Sequence, residues 1–420
     1  MPQVPAPGAP FEEISPPLTA DQALQEAARC LYCFDAPCTR ACPTEIDVPA
    51  FIKKIATGNL PGSARVIFEA NVLGASCARV CPVEVLCEGA CVEKTLLKRP
   101  IPIARLQRHA TDHVLERGLD VLRAGAPTGR SVGVIGSGPA GLGAAAELRK
   151  LGHSVTVYDE RRWSGGLNTY GMAEYKQTAQ LALLEVEQVA RLGAVFQQGV
   201  AVGRDVSVAE LMERHDALFV GVGLGSTNRL GVPGDEFAVE ALAWIERLKS
   251  DPGSMPRLTG RRAVIVGGGN TAIDAVTQAR RLGAESTLVY RRAERQMSAY
   301  RYEIELARSM GCALLFERPP LRVEERALVV QAPHGEERLE CELVIAAVGQ
   351  VKRVAFLRDL PDVSTDDRGR LVVDPRTGQT GNPRIFAGGD CVNGGKEAVN
   401  AVAEGKAAAR GVHAYLTRPA

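Results

Sequence analysis

Residues 131–160 read SVGVIGSGPAGLGAAAELRKLGHSVTVYDE. The β-branched opening predicts a strand, the Ala and Leu at helical spacing up to Leu151-Gly152 predict a helix, and the second β-branched run predicts another strand. Between first strand and helix stands Gly136-Ser137-Gly138-Pro139-Ala140-Gly141. In a βαβ unit such a turn uses Gly136 for the tight bend, Gly138 for close backbone approach to a pyrophosphate, and Gly141 for packing helix on strand. The diphosphate then meets unpaired N–H groups and the positive end of the helix dipole. Asp159, 23 residues after Gly136, ends the second strand, where a carboxylate accepts hydrogen bonds from ribose hydroxyls. The glycines alone would be only a turn; with strand, helix and acid around them they read as a dinucleotide site.

The same pattern recurs about 130 residues on, where 262–292 read RAVIVGGGNTAIDAVTQARRLGAESTLVYRR. Gly267-Gly268-Gly269-Asn270-Thr271-Ala272 forms the turn, with alanine for the third glycine. Each unit is followed by a strand-like run closing on glycine, DALFVGVG at 216–223 and ELVIAAVG at 342–349, so the repeat covers whole domains. The second unit ends in Tyr290-Arg291-Arg292 instead of an acid. Arginines there bind a ribose 2′-phosphate and favour NADPH over NADH; the bland alternative is a solvated strand end. Gly268, Gly269, Asn270, Thr271, Arg291 and Arg292, with Ala347, Val348 and Gly349 at the closing strand, are the candidate NAD(P) residues.

Eight of eleven cysteines precede residue 92. They run C-x2-C-x4-C-x3-C-P from Cys30 and C-x3-C-P-x4-C-x3-C from Cys77. Clustered thiols with no export signal read as metal chemistry rather than disulfides. Iron-sulfur clusters and zinc both take thiolates; a one-electron carrier beside a hydride acceptor favours iron-sulfur, with structural zinc the alternative. Thr19 and Gln22 form a capping box opening a helix that runs into Cys30. Short helical patterns follow at 50–57 and 63–70, then 74–91, which carries the second cysteine group in a loop-rich context, and no strand alternation precedes residue 115. Arg117 to Arg130, rich in Gly, Ala and Pro, marks a domain boundary. No Cys-x-x-Cys follows residue 91, which argues against a dithiol–disulfide reductase and leaves Cys312, Cys341 and Cys391 as structural thiols. Lys plus Arg number 50 against 49 Asp plus Glu, so no global field recruits nucleic acid or an anionic membrane. With no targeting pattern or membrane span in the sequence, the expected location is cytoplasmic.

The C-terminal run Asn382-Pro-Arg-Ile-Phe-Ala-Gly-Gly389-Asp390, followed by a helix from Glu397, resembles the flavin-closing segment of two-dinucleotide flavoproteins. That resemblance assigns Asp390, Ala398 and Val399 to the flavin and, with Gly165-Gly166-Leu167, places FAD in the outer domain and the nicotinamide cofactor in the nested one. Ser137, Pro139, Ala140, Lys176, Val200 and Gly389 complete the candidate FAD set.

From Cys30 to His109, including Pro43-Thr-Glu-Ile-Asp, Leu73-Gly-Ala-Ser-Cys-Ala-Arg-Val-Cys-Pro82, Leu86-Cys-Glu-Gly-Ala-Cys91 and Ile103-Ala-Arg-Leu-Gln107, the chain resembles the dihydropyrimidine dehydrogenase family, in particular the separate FAD and NAD(P)H subunit of its bacterial two-subunit form. The likeness runs from about residue 18 to about 416, and the glutamate synthase small subunit shares most motifs. Gly171-Met-Ala173 departs from the usual Ile-Pro, and Asn270 from a common aspartate. The resemblance implies two [4Fe-4S] clusters: one on Cys30, Cys33, Cys38 and Cys91, the other on Cys42, Cys81, Cys87 and the side chain of Gln107, leaving Cys77 spare. It also implies a partner subunit carrying FMN and further clusters, in a heterotetramer of two plus two, that interconverts uracil or thymine with the 5,6-dihydro forms. No residue beyond the cofactors is expected to be catalytic. The rival readings are a glutamate synthase small subunit or other NAD(P)H:acceptor oxidoreductase, and a non-redox flavin- and zinc-binding scaffold.

The expected fold is a small all-α iron-sulfur domain followed by α/β, with two nested Rossmann-like domains of the two-dinucleotide flavoprotein type. The expected boundaries are a disordered tail over 1–17, the cluster domain over 18–125, the FAD domain over 126–230 and 351–420, and the NAD(P) domain over 231–350.

Overall fold

The computed structural model describes residues 12–250 and 257–418. Seven helices come first: α1 (Ala20–Ala28), α2 (Pro37–Arg40), α3 (Val48–Ala56), α4 (Leu60–Ala70), α5 (Gly74–Val80), α6 (Val92–Leu96) and α7 (Ile103–Leu115). The flavin-type half continues with β1 (Ser131–Ile135), α8 (Pro139–Lys150), β2 (Ser154–Asp159), α9 (Leu167–Tyr170), α10 (Ala179–Arg191), β3 (Val195–Gln198), α11 (Val208–Arg214) and β4 (Ala217–Val220). Next are β5 (Ala238–Glu240), α12 (Ala241–Ser250), β6 (Arg262–Val266), α13 (Asn270–Arg281), β7 (Glu285–Val289), α14 (Arg301–Ser309), β8 (Ala313–Leu315), β9 (Pro320–Glu324), β10 (Ala327–Ala332), β11 (Gly335–Glu340) and β12 (Leu343–Ala346). The chain ends in α15 (Val354–Arg358), β13 (Ile385–Ala387), α16 (Asp390–Asn393) and α17 (Ala398–Leu416).

These elements form two compact units, one of 15–169, 181–224 and 352–420, the other of 1–14, 170–180 and 225–351. The second therefore starts a few residues before the expected 231 and also takes up the 170–180 segment, which no local pattern marks. The cysteine-bearing helices and the flavin-type sheet share the first unit. The expected tail at 1–17 lies outside the described residues up to residue 11. The remainder departs from disorder: Arg108 donates to the Ser15 carbonyl and the Ile14 N–H donates to the Tyr175 carbonyl at 3.2 Å, so these backbone groups have fixed partners.

In the first unit β13-β4-β1-β2-β3 form one parallel sheet. β1 is central, with its crossovers leaving to opposite sides, so a crevice opens at its carboxyl end. α8 and α17 pack through glycines. A Cβ on Gly143 would lie 2.9 Å from the Val402 carbonyl oxygen, and one on Gly405 2.1 Å from that of Ala140. Phe51, Ile52, Ile55, Ile67, Phe68 and Leu106 form the centre of the all-helical segment's core. Its helices start where side chains cap them: Thr19 and Gln22 reciprocally on α1, Asp47 on α3 and Asn59 on α4. Within the loop-rich stretch expected over 74–91, the helix runs from Gly74 and stops at Val80. Pro82 disfavours helical geometry at the residue before it, and Cys81 is extended with φ −65° and ψ 141°.

The second unit repeats the architecture as β5-β12-β6-β7-β8, again all parallel. A three-stranded antiparallel sheet, β11-β10-β9, precedes β12 and buries Leu328 and Val330 in a core shared with Val264 and Val344.

Candidate functional site

At the carboxyl end of β1 the turn Gly136–Ala140 meets the loops carrying Gly165-Gly166-Leu167 and Gly389-Asp390. The Gly165 N–H donates to the Ser137 carbonyl at 3.0 Å. A Cβ on Gly389 would lie 2.7 Å from that of Ala140, and one on Gly166 2.7 Å from the Gly138 Cα. On Gly138 itself, a Cβ would meet nothing nearer than the Gly166 Cα at 3.9 Å, so the glycine opens onto the crevice, as close approach by a diphosphate requires. Asp159 accepts from the Ser137 N–H at 2.7 Å and hydroxyl at 2.6 Å, and from the Arg161 N–H at 2.8 Å. A carboxylate has about four acceptor positions, so one is left toward a ribose. The Val200 N–H reaches the Asp159 carbonyl at 2.9 Å. Asp390 accepts from the Lys396 N–H, and burial pushes its carboxyl up from the ordinary value. Ala398 and Val399 are the first residues of α17. Lys176 lies in the other compact unit, with its ammonium 2.6 Å from Asp274 and 2.5 Å from Glu303, a buried triad that holds the 170–180 segment.

In the second unit a cleft of about 600 Å³ is lined by Gly268, Gly269, Thr271, Arg291, Arg292, Ala347, Val348 and Gly349, gathering eight of the nine candidate nucleotide residues. The ninth, Asn270, turns its Oδ1 to the Tyr300 N–H at 3.1 Å. Sequence reasoning passed over Tyr290, whose ring atoms come within 2.3 Å of where a Gly268 Cβ would stand, and Thr227 to Arg229, which also line the cleft. Tyr290 had a signal in its place directly before the two arginines.

Cys30, Cys33, Cys38 and Cys91 line one recess with Pro37, Val48, Ile52 and Ile103. Three come from the loop around α2 and the fourth from the start of α6. The others gather nearby: Cys77, Cys87 and Cys42 surround Cys81, while Cys42 and Cys38 both bear on Cys87. Gln107, buried on α7, donates its Nε2 to the Gly74 carbonyl at 2.6 Å, which fixes its amide and leaves Oε1 out of that bond. Among the described residues no three His, Cys, Asp or Glu side chains converge as around a single metal ion. Burial pushes up the thiols of Cys30 and, to about 11, of Cys38. Such thiols become thiolates only where positive charge sits among them, which an iron-sulfur core supplies. Cys312, Cys341 and Cys391 are buried, and burial pushes Cys312 to about 11 and Cys391 to about 12, so neither is a nucleophile.

Glu185 on α10 also escaped the sequence reading. Fully buried, it accepts from the Ala75 N–H at 2.8 Å, the Ser76 N–H at 3.1 Å and the Ser76 hydroxyl, joining the flavin-side helix to the first turn of α5. Nothing in its helical surroundings distinguishes it from an ordinary amphipathic acid.

Residues 8–119 match the family described as dihydropyrimidine dehydrogenase domain II, 4Fe-4S cluster, and 130–405 match the pyridine nucleotide-disulphide oxidoreductases. The chain is 34% identical over 410 residues to the NAD-dependent dihydropyrimidine dehydrogenase subunit PreT of Salmonella typhimurium, covering 97% of each. It is 31% identical over 446 residues to the glutamate synthase [NADPH] small chain of Escherichia coli, covering 97% of this chain and 94% of that one. Among solved structures, T. acidophilum thioredoxin reductase matches with a TM-score of 0.57 at 22% identity, over 68% of this chain and 98% of that one, a likeness of fold. The chain is an NAD(P)-dependent oxidoreductase that carries FAD and 4Fe-4S clusters. Over its whole length, it belongs to the iron-sulfur flavoprotein family of the NAD-dependent dihydropyrimidine dehydrogenase subunit PreT.

Proposed function

We propose that this chain is the electron-input subunit of a dihydropyrimidine dehydrogenase, working with a partner subunit that carries FMN and further iron-sulfur clusters. The observation that carries an electron-transfer reading is the gathering of Cys30, Cys33, Cys38 and Cys91 around one recess, in the compact unit that also holds the flavin-type sheet. The pyrimidine substrate is supported by the relative whose full length the chain matches.

When bound, FAD exchanges hydride with a nicotinamide coenzyme and single electrons with the clusters, a change of currency that no side chain performs. The protein's part is placement. Gly136 to Ala140 and the start of α8 offer backbone N–H groups to the FAD diphosphate, with Asp159 toward the ribose. The 268–271 turn and the closing strand end at 347–349 hold the coenzyme, with Arg291 and Arg292 toward the adenosine ribose. Cys30, Cys33, Cys38 and Cys91 hold one cluster; Cys42, Cys81, Cys87 and Gln107 hold the other. The partner reduces uracil or thymine across the 5,6 double bond with two electrons and two protons, or runs the reverse, in a two-plus-two assembly.

Co-expression with the candidate partner tests this. An FMN-containing complex that oxidises NAD(P)H in the presence of uracil is expected. Glutamine-dependent oxidation instead would overturn the pyrimidine reading and favour the glutamate synthase relation, which the E. coli small chain's similarity supports. Stoichiometric zinc without iron and labile sulfide would overturn the cluster reading.

A further inference from the structure

Two side chains that are not cluster ligands contact sulfurs of the second ligand set. The Thr44 hydroxyl lies 3.3 Å from the Cys42 Sγ, and Thr44 is buried. Cys77 and Cys81 stand one helical turn apart, the Cys81 N–H donating to the Cys77 carbonyl at 3.1 Å, and their side chains are hydrogen-bonded. The direction of that second bond follows from Asn71, which is fully buried. Its Oδ1 accepts from the Leu73 N–H at 3.0 Å, which fixes the amide's orientation, so the group facing the Cys77 sulfur at 3.1 Å is the Nδ2 donor. Cys77 sulfur thus accepts from Asn71 and keeps its own S–H to give. A cluster ligand is a thiolate and only accepts, so with a cluster in place the proton shared with Cys81 belongs to Cys77, and that shared with Cys42 belongs to Thr44.

In the other set, backbone N–H groups at Tyr32 and Thr39 bear on the Cys30 and Cys38 sulfurs.

Resting on the cluster assignment of the proposed function, we propose that Thr44 and Cys77, the latter oriented by Asn71, are positioning residues that raise the reduction potential of the cluster held by Cys42, Cys81, Cys87 and Gln107. Hydrogen bonds to ligand sulfurs offset the negative charge gained on reduction, so a cluster with side-chain donors is the easier of two to reduce, other things equal. The spare cysteine thereby has a task. It is a weak donor held beside a ligand by a buried amide.

The test is a redox titration of the anaerobically purified holoprotein, followed by electron paramagnetic resonance, with FAD, iron and sulfide measured on each sample. Thr44→Val and Cys77→Ala are expected to shift the same one of two cluster signals to more negative potential. Each should lower that cluster's reduced-to-oxidised ratio at fixed potential by about fivefold, as the loss of one net hydrogen bond would. Thr44→Ser and Cys77→Ser, which retain a donor, should stay near the parent. Substitutions that act on different clusters, on both alike, or on neither would overturn the proposal. Should Cys77→Ala purify without iron, Thr44→Val against Thr44→Ser decides it alone. The titration needs neither partner nor pyrimidine, so the cluster proposal and the substrate reading fail separately: absence of iron and sulfide from the parent protein sinks the cluster assignment, and absence of uracil-dependent turnover leaves this result standing.

Discussion

Gly136 holds φ at +96°, and a Cβ there would lie 2.5 Å from the Gly221 carbonyl oxygen. Both the dihedral and the space demand glycine, because the obstructing atom is backbone and cannot swing aside. Gly136→Ala should therefore cost about 1–3 kcal/mol in backbone strain and misplace the turn that faces the diphosphate. The purified variant is expected to lose most of its flavin, read as the ratio of flavin to protein absorbance; full occupancy would contradict the assigned role. Arg291 and Arg292 make the opposite kind of argument. Both are exposed on the wall of the nucleotide cleft, with no ion pair among the described residues. The relatives are named for different coenzymes, so these two residues are where a 2′-phosphate preference should reside. Replacing both by alanine is expected to raise KM for NADPH about tenfold or more, from loss of charge-assisted hydrogen bonds, with KM for NADH little changed. Equal effects on both coenzymes would return the arginines to a solvated strand end.

At the scale of elements, one buried carboxyl ties α10 to the first turn of α5. Burial pushes Glu185 up from the ordinary 4.5 to about 7, against the lowering effect of its Ser76 and Ala75 donors. The folded protein thus binds this proton more tightly than the unfolded chain does. Its contribution to stability is complete below about pH 4.5 and is lost as pH rises toward 7. Glu185→Gln is neutral throughout, so parent and variant should diverge over that range, the parent losing up to about 3 kcal/mol relative to the variant. Thermal midpoints of both proteins measured across pH check this, and parallel curves would sink it. The helices themselves were largely legible: Thr19-Ala-Asp-Gln22 announces α1, and the β-branched runs announce β1, β2, β6 and β7. The end of α5 was legible too, in Pro82. The β9–β11 sheet is local, a meander whose β10–β11 turn falls at Pro333-His334, whereas the Lys176–Asp274–Glu303 triad had no local signal, since it joins segments about 100 residues apart in sequence.

For the whole molecule, none of the described helices is long and apolar enough to cross a membrane. Cys30, Cys38, Cys42, Cys87 and Cys91, each half-buried, pack against the apolar core of the helical segment. The clusters therefore act as part of that core. Oxidative loss of iron in the presence of a chelator should loosen residues 18–125 while the parallel sheets persist. Limited proteolysis is expected to find new sites before about residue 125, with flavin still bound to the remainder; simultaneous loss of flavin would mean that the segment and the sheet stand or fall together.

The sequence by itself determined both βαβ units, their glycine turns and the kind of chemistry that eight early cysteines imply, because each rests on spacing within a few turns of chain. Local steric rules are enough to decide them. Only the tertiary structure decided which sulfurs share a recess. Cys91 joins Cys38 across a sequence separation of 53 residues, and nothing local fixes where so long a loop closes. The packing of the helical segment does that, and long-range packing also brings Glu185 to α5 and Gln107 to Gly74, whereas Thr44 and Cys77 stand within four residues of the sulfurs they meet.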